Sequence, residues 1–93
     1  MNEIRAILIN DGDNVATVTT EAPKGASVVW LRSGESAGVV SLGVPKYHKI
    51  AVADIPAGAL VYKYGEVIGH ATEDIPAGAW VHNHNITSGG ERE

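Results

Sequence analysis

Two histidines near the end of the sequence, His82 and His84, are the residues best suited to chemistry in this chain of 93 residues. They lie in the stretch "WVHNHN", in which an asparagine follows each histidine. On a strand, residues two apart point to the same side, with about 6.5–7 Å between their Cα atoms. Two imidazoles on one side can bind a divalent metal ion or an anionic group of a substrate. The alternative is a half-exposed pair without such a role, because no third ligand lies nearby unless His48 or His70 converges on it.

His48 and Lys49, in the stretch "YHKI", are the next candidates. An imidazole and an ammonium at the start of a strand could flank a carboxylate-binding site, and the alternative is a solvated loop. His70 is predicted to be a surface residue after a turn at Gly69, and Lys63 a solvent-facing cation. The sequence contains no glycine-rich phosphate loop, no nucleophile motif with a base and no cysteine cluster for zinc. The remaining candidate chemistry is that of imidazoles and amines.

An internal repeat indicates how these residues are positioned. Residues 54–63, "DIPAGALVYK", closely match residues 74–83, "DIPAGAWVHN", and residues 21–30, "EAPKGASVVW", form a weaker third copy. In each copy an acidic residue and a proline open a turn, glycine supplies the backbone freedom that the turn needs, and a strand follows. Asp54 and Asp74 are predicted to be structural, because a carboxylate at this place can accept backbone hydrogen bonds within its turn.

The last copy differs from the earlier one in its strand. When the two copies are aligned on their aspartates, Tyr62 corresponds to His82 and Tyr64 to His84. A strand over residues 80–85 would place Trp80 and both histidines in one row. Since imidazoles replace phenols in this row, we expect the two histidines to face a solvent-accessible groove.

The rest of the pattern predicts an all-β fold of short strands. No window offers sustained helical periodicity, and turn signals recur throughout. The predicted strands cover residues 5–9, 14–19, 27–31, 37–42, 50–53, 60–64 and 80–85. Residues 1–88 are predicted to form a single domain, and residues 89–93 a polar C-terminal tail.

Composition and charge narrow the class of protein. The chain has 44% hydrophobic residues but no phenylalanine, and its formal net charge is −4. Its basic residues are dispersed, which argues against nucleic acid as a partner. The absence of cysteine excludes disulfides and thiolate metal sites and fits a reducing compartment. The N-terminal "MNEIRAILIN" reads as neither a signal peptide nor a membrane span, so we expect a cytoplasmic protein without a membrane partner.

Several motifs together resemble one known family. They are "HKIA", "DIPAG", "KYGEVIG", the second "DIPAG" and the closing "VHNHN", all within residues 48–85. This run closely resembles the SAF domain of the altronate and galactarate dehydratase family, a small β-clip module. Residues 11–29 are similar to the N-terminal segment of the same domain. The resemblance implies a β-clip-like SAF fold with an internal pseudo-repeat.

The resemblance also implies a function. In this family the SAF domain is either the N-terminal part of a long enzyme or a separate small subunit, and a chain ending after "VHNHN" resembles the small-subunit form. Family members dehydrate sugar acids such as altronate and galactarate, so they are hydro-lyases. The expected partners are a large catalytic lyase subunit and a sugar acid, and the chain alone is expected to be inactive. The family resemblance is also compatible with a homo-oligomer.

A divalent metal, iron(II) or manganese(II), is implied for the assembled enzyme. Such an ion can stabilise charge that develops beside a carboxylate and can polarise a leaving hydroxyl. His82 and His84 are the candidate metal ligands of this chain. His48, Lys49, His82 and His84 are its candidate catalytic residues.

Other functions remain open from the sequence. One is the small subunit of a sulfolactate sulfo-lyase, a related two-subunit branch that releases sulfite. Another is a non-catalytic module that binds a carbohydrate or sugar acid, and a third is a purely structural subunit. A flagellar β-clip chaperone is disfavoured, because no export signal is recognised in the sequence.

Overall fold

The computed structural model describes residues 3–88 and contains, in that range, nine short strands and no helix. The strands are β1 (Ile4–Ile7), β2 (Val15–Val18), β3 (Ser27–Arg32), β4 (Glu35–Val40), β5 (Lys49–Ala51), β6 (Leu60–Lys63), β7 (Glu66–Ala71), β8 (Trp80–Val81) and β9 (Ile86–Ser88). The predicted all-β fold is therefore confirmed. The tail predicted at residues 89–93 lies outside the described residues. No helix that could cross a membrane occurs within residues 3–88.

The strands form two sheets. The larger has the order β4-β3-β1-β2-β5-β8, and the smaller has the order β6-β7-β9. Strands β1 and β3 pair in parallel, and the other neighbouring pairs are antiparallel. Two clusters of buried, mainly aliphatic side chains fill the interior. The first is built around Val18, Val28, Trp30 and Ile50, and the second around Val15, Ile55, Ile75 and Val81.

The two "DIPAGA" segments pair with each other. Ile55 and Ile75 exchange both backbone hydrogen bonds, each 2.8 Å long, in an antiparallel bridge. Gly58 and Gly78 have nearly the same left-handed backbone, with φ of 87° and 91°. In this region a side chain with a Cβ atom is strained, which explains the glycine in each copy. The two copies therefore make equivalent turns, and a local two-fold arrangement relates one turn to the other.

Each aspartate of the repeat serves the opposite copy. Asp54 Oδ1 accepts a hydrogen bond from the backbone N–H of Ala77, and Asp74 Oδ1 accepts one from Ala57, both at 2.9 Å. The predicted structural role holds, but the expectation that each carboxylate binds within its own turn is wrong. Because the two turns face each other across the Ile55–Ile75 bridge, each carboxylate can reach an N–H group of the other copy.

Another pair of turns has the same arrangement, and it includes a copy of the repeat that could not be recognised in the sequence. Ala22, in the third copy, exchanges two 2.8 Å backbone hydrogen bonds with Val44. Residues 43–48, "GVPKYH", thus form a fourth copy in which Tyr47 takes the place of glycine, with φ of 67°. A tyrosine in this conformation is uncommon. We call residues 21–26 with 43–48 the first pair, and residues 54–59 with 74–79 the second pair.

The loop of residues 10–14 ties the two hairpins to the larger sheet. The hairpin turns lie at Ser33–Gly34 and Tyr64–Gly65, and all four residues have positive φ, which matches the twist of two-residue hairpins. Asp11 accepts hydrogen bonds from Ser33 N at 3.1 Å and from Ser33 Oγ at 2.5 Å. Asp13, only 2% exposed, accepts hydrogen bonds from the N–H groups of Tyr64 and Gly65, both at 2.8 Å. One acidic loop thus holds both turns.

Two strands were not predicted. Gly69 does not form a turn but lies inside β7, where it is buried and paired with Val61. Strand β9 lies just before the polar residues at the C-terminal end of the chain, and it pairs with β7 through Ile86 and Thr87. In both stretches the run of hydrophobic residues is too short to predict a strand.

Candidate functional site

Trp80 is the centre of a cluster that contains three of the four histidines. Its ring stacks on His82 with 5.5 Å between centroids and 13° between planes, and it meets the edge of His48 at 5.4 Å. The ring of His84 lies 5.0 Å from the tryptophan ring, and His48 and His82 are also 5.0 Å apart. The fold thus brings together three of the candidate site residues. We call Trp80 and these three histidines the histidine cluster.

The two histidines of "VHNHN" do not lie on a strand. Strand β8 ends at Val81, and residues 82–85 form a turn. The carbonyl oxygen of His82 accepts hydrogen bonds from the N–H groups of Asn85 at 3.0 Å and Ile86 at 3.1 Å. The predicted strand over residues 80–85 is therefore wrong beyond Val81. The two imidazoles are neighbours because both touch Trp80, and not because they share a strand face.

Asn85 makes this turn, and its importance was missed in the sequence. Its side chain is 4% exposed. The Oδ1 atom accepts a hydrogen bond from His82 N at 3.0 Å, and the Nδ2 atom donates one to the Trp80 carbonyl oxygen at 2.8 Å. Asparagine side chains often compete with strand ladders in this way. The two asparagines of the motif therefore differ, since Asn83 is exposed.

His48 is fixed by a hydrogen bond with Trp80. It follows the turn at Tyr47 and is half-buried. The Trp80 indole Nε1–H donates to His48 Nδ1 at 3.2 Å. Since an indole can only donate, this bond leaves the proton of neutral His48 on Nε2. His48 can therefore offer an Nε2–H donor to an anionic oxygen.

The cluster and its surroundings are rich in groups that can carry positive charge. Partial burial lowers the pKa of His82 below its ordinary value of 6.5, and the neighbouring His48, Lys49 and His84 lower it further. Burial likewise lowers the pKa of Lys49 from 10.5, with a smaller contribution from the charge of Lys63. The lowered pKa favours the neutral form of His82. A negatively charged group placed here would relieve the repulsion among these side chains.

The other sequence candidates lie at different distances from the cluster. Lys49 begins β5, is half-buried and pairs with Val81 of β8, so it adjoins the cluster. His70 does not converge on it, because it lies in β7 of the smaller sheet, between Leu60 and Thr87. The ammonium of Lys63 lies 4.7 Å above the centroid of its neighbour, the Tyr64 ring, so Lys63 is half-buried and not fully solvent-facing.

An open groove adjoins the cluster at Trp80. It has a volume of about 670 Å³ and runs over the first pair of turns. Lys24 and Lys46 line it, together with Pro23, Pro45 and Trp80. Neither lysine was identified as a candidate in the sequence, because each belongs to a different copy and only the fold places them in one groove.

Comparison with known proteins agrees with the fold. The sequence model of the altronate/galactarate dehydratase SAF domain matches residues 4–89. The chain belongs to this family. Over 65 residues this SAF domain is 36% identical to galactarate dehydratase (L-threo-forming) of Escherichia coli (strain K12), and the alignment covers 70% of the chain but 12% of that enzyme. The resemblance noted in the sequence is thereby confirmed.

The residues of the SAF domain that the structure describes do not complete a metal site by themselves. Within residues 3–88, no group of three or more histidine, aspartate or glutamate side chains is arranged to hold a metal ion. His48 Nδ1 is engaged by Trp80, and its Nε2 carries the proton in the neutral ring. Only His82 and His84 remain as nitrogen donors in the cluster. A stable site ordinarily needs at least three protein ligands.

We expect the replacement Asn85→Ala to destabilise the SAF domain by about 2 kcal/mol, because it leaves a buried N–H and a carbonyl group without partners. Asn83→Ala is the matched control and should change the free energy of unfolding by less than about 0.5 kcal/mol. Urea denaturation of both variants measures the difference. Equal effects of the two substitutions would show that the carboxamide of Asn85 does not determine the turn.

Proposed function

We propose that the chain is the small SAF subunit of a metal-dependent sugar-acid dehydratase of the altronate/galactarate type. It contributes residues to an active site that it shares with a large subunit. The observation that carries this proposal is the histidine cluster beside Lys49, which gathers hydrogen-bond donors and cationic groups on an open surface. Family membership and the similarity to a galactarate dehydratase support the substrate class.

The substrate is anionic, and the cluster is suited to bind an anion. His48 donates its Nε2–H to a carboxylate oxygen, and the half-buried ammonium of Lys49 stabilises the negative charge. On an open surface, water competes for both contacts. When a large subunit covers the cluster, the same contacts are desolvated and become stronger. Removal of a proton beside the carboxylate then becomes easier, since the charge that develops is stabilised.

We place the metal, iron(II) or manganese(II), at the interface between the two subunits. His82 and His84 supply two imidazole nitrogens, and the large subunit or the substrate supplies the remaining ligands. When bound, the ion would polarise the leaving hydroxyl of the sugar acid. The low pKa of His82 suits this role, because only the neutral imidazole binds a metal ion.

The chain alone should be inactive, and activity should appear when it is combined with a large lyase subunit from the same genome. The test is an assay of altronate and galactarate dehydration with iron(II) or manganese(II), for the chain alone and for the purified pair. Sulfite release from sulfolactate tests the sulfo-lyase alternative in the same experiment. Turnover by the lone chain would refute the shared site.

A binding module without catalysis is the second candidate function. The openness of the groove and of the cluster favours it, because neither encloses a small molecule and catalytic pockets usually bury most of their ligand. Binding of a sugar acid without association with any lyase subunit would support this alternative over the dehydratase.

A further inference from the structure

The two pairs of turns create two equivalent grooves. The first, which we call the lysine groove, runs over the first pair and has a volume of about 670 Å³. The second, the aspartate groove, runs over the second pair and has a volume of about 490 Å³. Each has a two-residue β-bridge as its floor, Ala22–Val44 in one and Ile55–Ile75 in the other. Because their backbones correspond, differences between the grooves arise from the side chains.

The side chains reverse the charge of the lysine groove. The residue after proline is alanine in both copies of the second pair, whereas it is Lys24 and Lys46 in the first pair. The acidic position that opens each copy is kept as Glu21 but is lost at Gly43. The lysine groove therefore carries a formal charge of +1 from these positions, against −2 from Asp54 and Asp74 in the aspartate groove. Both lysines are exposed, so their charges are available to a ligand.

The lysine groove is continuous with the histidine cluster. Trp80 lines the groove and also contacts all three histidines of the cluster. Lys46 lies two residues before His48, in the same turn. Its ammonium lies 4.8 Å above the centroid of the neighbouring Tyr47 ring, in a cation–π contact. A ligand that extends past Trp80 can therefore touch lysines at one end and imidazoles at the other.

We propose that the lysine groove binds the second carboxylate of a dicarboxylic sugar acid whose first carboxylate lies at the histidine cluster. Lys24 and Lys46 then select aldaric acids over aldonic acids, which have a carboxylate at only one end. This proposal rests on the proposed function and adds the substrate class to it. Ammonium groups bind carboxylates by charge-assisted hydrogen bonds, and the carbon chain between the carboxylates can lie against Trp80 and the prolines.

The test is a titration of the full chain with galactarate and, separately, with altronate, followed by backbone and indole N–H signals in NMR spectra. Galactarate should shift the signals of Gly25, Gly43 and the Trp80 indole. The double variant Lys24→Ala, Lys46→Ala should bind galactarate about tenfold more weakly, because two exposed charge contacts are lost. Its affinity for altronate should change by less than twofold. Added salt should weaken galactarate binding in the native chain.

Alanine is the natural choice for these substitutions, because the equivalent positions of the second pair are alanines with the same backbone. Arg5→Ala on β1 removes a positive charge that does not line the groove and is the control for a general loss of charge. Galactarate shifts confined to the aspartate groove, no shifts at all, or equal losses for both ligands would overturn the proposal. Absence of dehydratase activity in the assembled pair would refute the proposed function, while the selective binding would still stand.

Discussion

Replacement of Asp13 by alanine should lower the free energy of unfolding by about 3 kcal/mol or more. Its carboxylate is 2% exposed and accepts hydrogen bonds from the N–H groups of Tyr64 and Gly65 at 2.8 Å and of Asn10 at 3.3 Å. Each buried donor that loses its partner costs about 1–3 kcal/mol. A small domain has only about 5–15 kcal/mol of total stability, so this loss is a large share of it.

Asp11 in the same loop provides the matched control. It is exposed, and its hydrogen bonds go to a single residue, Ser33, which water can also serve. Asp11→Ala should therefore cost less than about 1 kcal/mol. Asp13→Asn should fall between the two, because one acceptor oxygen remains. Urea unfolding curves measure all three variants, and a cost for Asp13→Ala as small as that for Asp11→Ala would contradict the assigned role.

The position of Asp13 matters for the candidate site as well as for stability. Its carboxylate fixes the hairpin of β6 and β7, and Arg32 Nη2 donates to its carbonyl oxygen at 2.9 Å. The next residue, Asn14, accepts a hydrogen bond from Tyr62 N at 2.8 Å through its side chain. Strand β2, which follows this loop, pairs with β5, the strand that begins with Lys49. The loop therefore connects the smaller sheet with the strand that adjoins the histidine cluster.

Much of the fold could be predicted from local sequence, because turns and short strands leave local signals. A proline with a glycine two residues later indicated three of the four related turns. The fourth escaped notice because Tyr47 replaces the glycine, and the strain of a tyrosine with φ of 67° is visible only in three dimensions. The pairing of turns was also not predictable, since a bridge between Ile55 and Ile75 depends on contacts across the chain. The partners of Asp54 and Asp74 follow from that pairing.

The sequence suggested which histidines could come together, but not how they are arranged. His48, His82 and His84 meet as the sequence suggested they could, and Lys49 adjoins them. The predicted strand does not continue beyond Val81. The buried side-chain amide of Asn85 makes hydrogen bonds to the backbone there, and these take the place of the bonds of a strand ladder. Lys24 and Lys46 carried no signal as single residues. Only the pairing of two repeat copies brings them to one groove.

In the two-subunit dehydratase that we propose, His48→Ala should lower kcat/KM for the sugar acid by about 100-fold. The loss corresponds to one hydrogen-bond donor to the anion, for which factors of about 10²–10³ are typical, and 100-fold is about 2.7 kcal/mol. His82→Ala should cause a similar loss but for a different reason, because it removes one of the two proposed metal ligands. The two variants should therefore differ in metal content, measured on the purified pair of subunits. His48→Ala should keep the metal, and His82→Ala should lower it.

His70→Ala is the matched control, since it removes an imidazole from the smaller sheet, and it should leave both kcat/KM and metal content unchanged. The variant Trp80→Phe separates the role of the His48 imidazole from that of the Trp80 hydrogen bond that positions it. This variant keeps an aromatic ring in the cluster but removes the Nε1–H donor that holds His48 Nδ1 at 3.2 Å. Its kcat/KM should fall less than that of His48→Ala, because the imidazole remains and can still donate from Nε2, although the Trp80 bond no longer fixes its tautomer and position. If His48→Ala and His70→Ala retain equal activity, His48 does not touch the substrate, and its proposed contact with the carboxylate is refuted.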